Sequence, residues 1–171
     1  MNSRTIFINI IRWIVLLFVQ IFLLRNLNYY NLSTPFIYIL FILVLPFRIP
    51  NLLLFLLAFG TGLTIDAFYD TLGVHTSACV ALALVRISFI SVSVNRDAFD
   101  EPEPSLGNMG FKWFALYAFL CTMVHHIVVF ILEAFKFSEI AYTLGRALLS
   151  VVFTMFIVLL VEFIFHNKKS A

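Results

Sequence analysis

The sequence predicts an all-α, polytopic integral membrane protein with about six transmembrane helices. Composition, the length of the apolar runs and the placement of the few charges carry that prediction. Of the 171 residues, 63% are hydrophobic and 12% charged, and the mean hydropathy is +1.05. A soluble domain is about 45–50% apolar and about 25% charged. This chain has too little polar surface to cover its Phe, Leu, Ile and Val in water. The 21 phenylalanines read as lipid-facing and helix-packing groups. A net charge of +2 gives no footing for nucleic acid as a partner. The length suits one domain, residues 1–171.

A spanning helix needs about 20 mostly apolar residues. Apolar runs cover residues 5–24, 35–45, 51–69, 74–94, 112–132 and 138–165. The first follows Arg4 but is interrupted by Arg12. It ends at Leu24-Arg25-Asn26, which is no small-residue cleavage site, so it reads as an uncleaved first span. The second run is short for a full crossing and is expected to borrow flanking residues or to insert halfway. Pro46-Phe47-Arg48-Ile49-Pro50 then breaks any helix, because proline lacks a backbone donor and disfavours helix at the residue before it. The third run carries Gly60 and Gly62, and the sixth is long enough to tilt. The largest loop, residues 95–110, holds Asp97, Asp100, Glu101 and Glu103 and reads as a solvated connector.

With the N-terminus in the cytoplasm, six crossings leave Arg4, Arg48, Arg96, Lys112, Lys168 and Lys169 inside. Only Arg25 and Lys136 then fall outside. That excess of inner Lys and Arg predicts cytoplasmic N- and C-termini. Tyr29, Tyr30, Tyr69 and Tyr142 fall near the outer interface on this arrangement, and Trp113 near the inner one.

Ionisable groups inside spans are costly and tend to be paired. At 1.5 Å of rise per residue, Asp66 and Arg146 both lie roughly 5–10 Å below the outer surface. Arg12 and Glu162 lie at a similar depth from the inner surface, with Arg86 deeper. The expected pairs are therefore Asp66 with Arg146, and Glu162 with Arg12 or Arg86. His125 and His126 are neighbours that project about 100° apart. They cannot chelate one ion as an i, i+4 pair would, so helix–helix hydrogen bonding is expected of them. Cys79 and Cys121 sit inside apolar runs without ligand spacing and read as packing residues; no metal or cofactor is expected. The chain carries no nucleotide-binding Gly-rich loop with its lysine, no CxxC, HExxH or GxSxG, and no enzymatic activity is expected. Gly60 and Gly62 are placed where a partner helix can approach closely.

The most distinctive stretch runs from Leu45-Pro46-Phe47-Arg48 through Gly62-x-x-x-Asp66 to Leu72-Gly73. It resembles the rod shape-determining protein MreD family, in which a leucine–proline–x–arginine-like turn precedes G-x-x-x-D and a late L-G. The motif residues are Pro46, Arg48, Gly62, Asp66 and Gly73. The departures are Asp70 and the residue sizes at Ala67 and Phe68.

That resemblance implies a non-enzymatic scaffold in the bacterial cytoplasmic membrane. Its partners would be an MreC-like protein and, near it, MreB, RodA and a class B penicillin-binding protein. Its role would be organising lateral peptidoglycan synthesis and rod shape. The family is similar in fold to the substrate-binding subunits of energy-coupling-factor vitamin transporters. A small-molecule-binding subunit is therefore the rival expectation, with Asp66, Asp70, His75, Thr76 and Ser77 around an outward cavity. Asp66 has three readings: a cap on the turn into the fourth span, a partner of Arg146, or a contact with another protein. Arg48 reads as an anchor at the inner interface.

Overall fold

The computed structural model describes residues 3–25, 33–94, 103–134 and 140–166. Tyr29, Tyr30, Arg96, Lys136, Lys168, Lys169 and the acidic residues Asp97, Asp100 and Glu101 lie outside them. Helix α1 spans Ser3–Phe18 and continues as a π-helical stretch, Val19–Leu24. The others are α2 (Ile39–Leu43), α3 (Asn51–Tyr69), α4 (Val74–Ser93), α5 (Leu106–Met109), α6 (Phe111–Ala134) and α7 (Ile140–His166). Five helices among the described residues are long and apolar enough to cross a membrane: α1 with its π-helical end, α3, α4, α6 and α7. The protein is thus an all-helical, multi-pass membrane protein.

The expected second span is not a helix of spanning length. Only the five residues of α2 are α-helical. The run from Pro35 to Phe47 is nevertheless buried throughout, and Tyr38, Ile39, Ile42 and Leu43 are wholly enclosed. This broken segment forms the axis of the protein, and the long helices surround it.

The direction of the surrounding helices shows what the segment does. Trp13 of α1 meets Thr61 of α3, and Gln20 meets Tyr69, so α1 and α3 run the same way. The chain between them must therefore return along the bundle, and residues 33–50 make that return. The remaining neighbours alternate. Gly62 of α3 lies against Thr76 near the start of α4. Phe89, late in α4, meets Trp113, early in α6, edge to face, and His126 of α6 meets Thr154 of α7.

Lipid tails are as apolar as leucine, so burying apolar side chains drives helix association weakly in a bilayer. Close packing and interhelical hydrogen bonds must supply the specificity. The lipid side is correspondingly plain: Phe7, Phe22, Leu52, Val152, Phe156 and Phe165 face outward. The inner side holds the polar groups.

The connector before α6 also departs from expectation. Pro104, Ser105 and Leu106 are buried, and Ser105 caps the short α5 by accepting the Asn108 amide. Arg12 of α1 reaches Glu103 at 3.1 Å, and Glu162 of α7 accepts the Leu106 amide at 3.1 Å. This part of the loop is strapped across the end of the bundle rather than solvated.

Candidate functional site

The motif residues meet at the turn between α3 and α4. Helix α3 ends on Asp70, whose φ of 57° is left-handed, and α4 begins after Gly73, whose φ is 81°. Gly73 has no side chain with which to cap the first amides of α4. Asp66, one turn before the end of α3, does so instead. Its two carboxylate oxygens accept the His75 and Thr76 amides, each at 2.9 Å. They also accept the hydroxyls of Thr76, at 2.6 Å, and of Thr71. A carboxylate at a helix N-terminus also meets the positive end of the helix dipole.

Gly62 makes this approach possible. A Cβ on it would stand 2.4 Å from the Thr76 Cα and 2.7 Å from the His75 carbonyl. The spacing Gly62-x-x-x-Asp66 thus places the contact point and the cap one helical turn apart on one face. Asp70 closes the outer edge through Arg25, 3.7 Å away. Replacing Asp66 by Asn should cost about 1–2 kcal/mol, since an amide cannot accept at both positions. Thermal unfolding in detergent measures this, with Asp66→Glu as the charge-preserving comparison; an unchanged midpoint for Asp66→Asn would remove the cap from the account.

The second polar group splints the broken segment. Backbone that is not helical is tolerated at membrane depth only where protein satisfies it. Near the start of the segment, Thr34 and Phe36 donate their amides to Ser150 Oγ and Thr154 Oγ1 of α7, at 2.9 and 3.0 Å. Gln20 donates to the Pro35 carbonyl at 3.2 Å and to the Tyr69 hydroxyl at 2.9 Å, and accepts the Ile37 amide at 2.8 Å. At the far end, Tyr117 donates to the Leu43 carbonyl at 2.8 Å. Arg86, buried in α4, donates to the carbonyls of Leu45 and Pro46. The unusual π-helical end of α1 carries Gln20, consistent with the tendency of π segments to occur where a side chain has a special task.

The third group lies at the centre. The Tyr38 hydroxyl sits 2.9 Å from His75 Nδ1 and 2.7 Å from His125 Nε2, joining α4 to α6 through the broken segment. Phe36 packs against the rings of His75, His125 and His126 at 5.2, 5.8 and 5.1 Å. His126 Nδ1 faces the Thr122 carbonyl at 2.9 Å, and a carbonyl only accepts, so that nitrogen carries the proton. Its Nε2 then accepts the Thr154 hydroxyl at 3.0 Å. These histidines serve helix–helix hydrogen bonding. Among the described residues no group of three or more His, Cys, Asp or Glu is arranged to hold a metal ion.

The charge pairs differ from those expected from depth. Asp66 is committed to the start of α4, not to Arg146. Arg146 instead lies over the Phe130 ring at 5.1 Å, near Tyr142, and within electrostatic reach of Glu133. Arg12 bonds Glu103 rather than Glu162, and Arg86 serves carbonyls. Depth arithmetic places groups at one level but does not say which helices are neighbours, and it gives no weight to backbone acceptors. Gly62 is enclosed between α3 and α4 and so cannot receive a partner helix. Gly60 has nothing within 4 Å of a Cβ position and stays available. Arg48 is exposed in the turn after Pro46, and Cys79 and Cys121 are buried packing residues.

No protein-family model matches the chain, and neither a curated protein nor a solved structure matches it.

Proposed function

We propose that this protein is a non-enzymatic membrane scaffold of the bacterial elongation machinery, akin to the MreD family. On this reading it binds an MreC-like protein, works near MreB, RodA and a class B penicillin-binding protein, and helps organise lateral peptidoglycan synthesis and rod shape. It sits in the cytoplasmic membrane with six traverses, the broken segment being the second, and both termini face the cytoplasm.

The observation that carries the reading is the joint use of the motif residues. Gly62, Asp66 and Gly73 build one turn, and the Leu45 and Pro46 carbonyls are fixed by Arg86. The resemblance thus rests on residues with defined mechanical tasks. The rival reading, a small-molecule-binding subunit of an energy-coupling-factor transporter, has less support. The Asp66 carboxylate is taken up by the His75 and Thr76 amides and the Thr76 hydroxyl, the His75 ring meets Tyr38, and the axis of the bundle is filled by residues 35–47.

The test is co-purification in mild detergent with the MreC-like protein of the same genome. A stable complex, weakened by Gly60→Leu while the isolated chain unfolds as before, is the expected result. No complex, together with a co-purifying small molecule or coupling ATPase, would move the protein to the transporter class.

A further inference from the structure

Two atoms on α6, Thr122 Oγ1 and His125 Nδ1, are buried and have no hydrogen-bond partner among the described residues. Both residues are wholly enclosed. Three residues apart, their side chains share one face of the helix.

The Thr122 hydroxyl departs from the habit of this fold. Thr61, Thr64, Ser77, Ser88 and Ser93 each donate to the carbonyl four residues back. Thr122 makes no such bond. A buried polar atom left unmet costs about 1–3 kcal/mol.

Counting protons shows what His125 Nδ1 requires. A neutral imidazole carries one proton. If Tyr38 donates to His125 Nε2, that proton is on Nδ1, and Nδ1 must find an acceptor. If His125 Nε2 donates to Tyr38, Nδ1 is a lone pair that needs a donor. Cys79, which packs beside the Tyr38 hydroxyl, offers that hydroxyl another acceptor but does nothing for Nδ1. The Thr122 hydroxyl has the right chemistry for either case but does not reach Nδ1 directly. Water both donates and accepts, and an internal site suits it when two to four polar groups converge. The Ala118 carbonyl, unused by the Thr122 hydroxyl, is a further acceptor in the same turn.

We propose that one internal water molecule bridges Thr122 Oγ1 and His125 Nδ1. It extends the Tyr38-centred chain to five groups: Thr122, water, His125, Tyr38 and His75. The chain then runs from α6 through the broken segment to α4, and its hydrogen bonds can reverse direction without leaving an unmet N–H on α6. At the other end, the His75 ring packs edge to face with the rings of Phe36 and Tyr69, their centroids 5.2 and 5.3 Å from its own, and its Nε2 is buried with no hydrogen-bond partner among the described residues.

The experiment is solid-state NMR on the full chain in lipid, with 15N-labelled histidine and magnetisation transferred from water. The expected result is a water contact at His125 Nδ1 in the parent and in Thr122→Ser, lost in the near-isosteric Thr122→Val. No contact in the parent, or an undiminished contact in Thr122→Val, overturns the proposal. A density map of the parent gives a second reading that no variant's misfolding can blur. A solvent peak about 2.8 Å from both atoms supports the bridge, and a direct Thr122–His125 bond removes it.

Discussion

Gly62→Ala should destabilise the protein by about 3–5 kcal/mol, far more than the same methyl group added at Gly60. The added carbon would lie 2.4 Å from the Thr76 Cα and 2.7 Å from the Thr76 amide nitrogen. These are backbone atoms and cannot turn aside, so α3 and α4 must separate. Separation then stretches the bonds from Asp66 to the His75 and Thr76 amides, now 2.9 Å each, towards lengths at which they fail. Packing and capping are thus lost together. Reversible unfolding in detergent or bicelles measures the effect. Gly60→Ala, which adds its methyl to open space, is the control and should stay within about 0.5 kcal/mol. If both variants behave alike, the close crossing is not what Gly62 supplies.

Gln20→Leu should rank beside it, at about 3–6 kcal/mol. The substitution keeps the side chain's size and apolar stem. It abandons the Pro35 carbonyl and the Ile37 amide, each worth about 1–3 kcal/mol when buried without a partner, and takes one donor from the Tyr69 hydroxyl, which keeps the backbone carbonyl of residue 20. The effect should also be local. Amide hydrogen exchange should quicken at residues 36–37 well before the rest of the bundle opens, because the entry of the segment would be left to its bonds with Ser150 and Thr154 of α7. Phe22→Leu, on the lipid face two residues away, should leave both readings unchanged. Slow exchange at Ile37 in Gln20→Leu would mean that the segment holds itself.

The long helices were legible because their signal is bulk. The runs at residues 51–69, 74–94 and 112–132 agree with α3, α4 and α6 to within two residues at each end. Residues 35–45 were legible as an anomaly of length. Their broken form was not, because apolar composition is the same whether a segment is helical or extended.

The site was harder to read. A search for ionisable groups finds Asp66, Arg86 and the adjacent histidines but passes over Gln20, Ser150 and Thr154, which carry no charge. It also passes over Tyr38, which looks like an ordinary member of an apolar run, and it offers His75 only as part of the rival reading's outward cavity. A usable signal did exist. Prolines at positions 35, 46 and 50 forbid a continuous helix there. Backbone groups freed at that depth must be met by side chains elsewhere, and uncharged polar residues within other spans are the candidates. The pairing of Arg12 with Glu103 had no such signal, because nothing local indicates that the connector folds back.

The broken segment has a consequence for how the protein is made. Thr34 and Phe36 depend on Ser150 and Thr154, which follow them by 116 and 118 positions. As the chain emerges from the ribosome, these amides enter the membrane long before their acceptors exist. Exposed to lipid alone, each would be unmet at a cost of several kcal/mol. Residues 33–36 can therefore take up these bonds only after the last helix is synthesised. α7 acts as the bolt that closes the assembly, and a nascent chain that stops short of it presents cellular quality control with an unfinished interior.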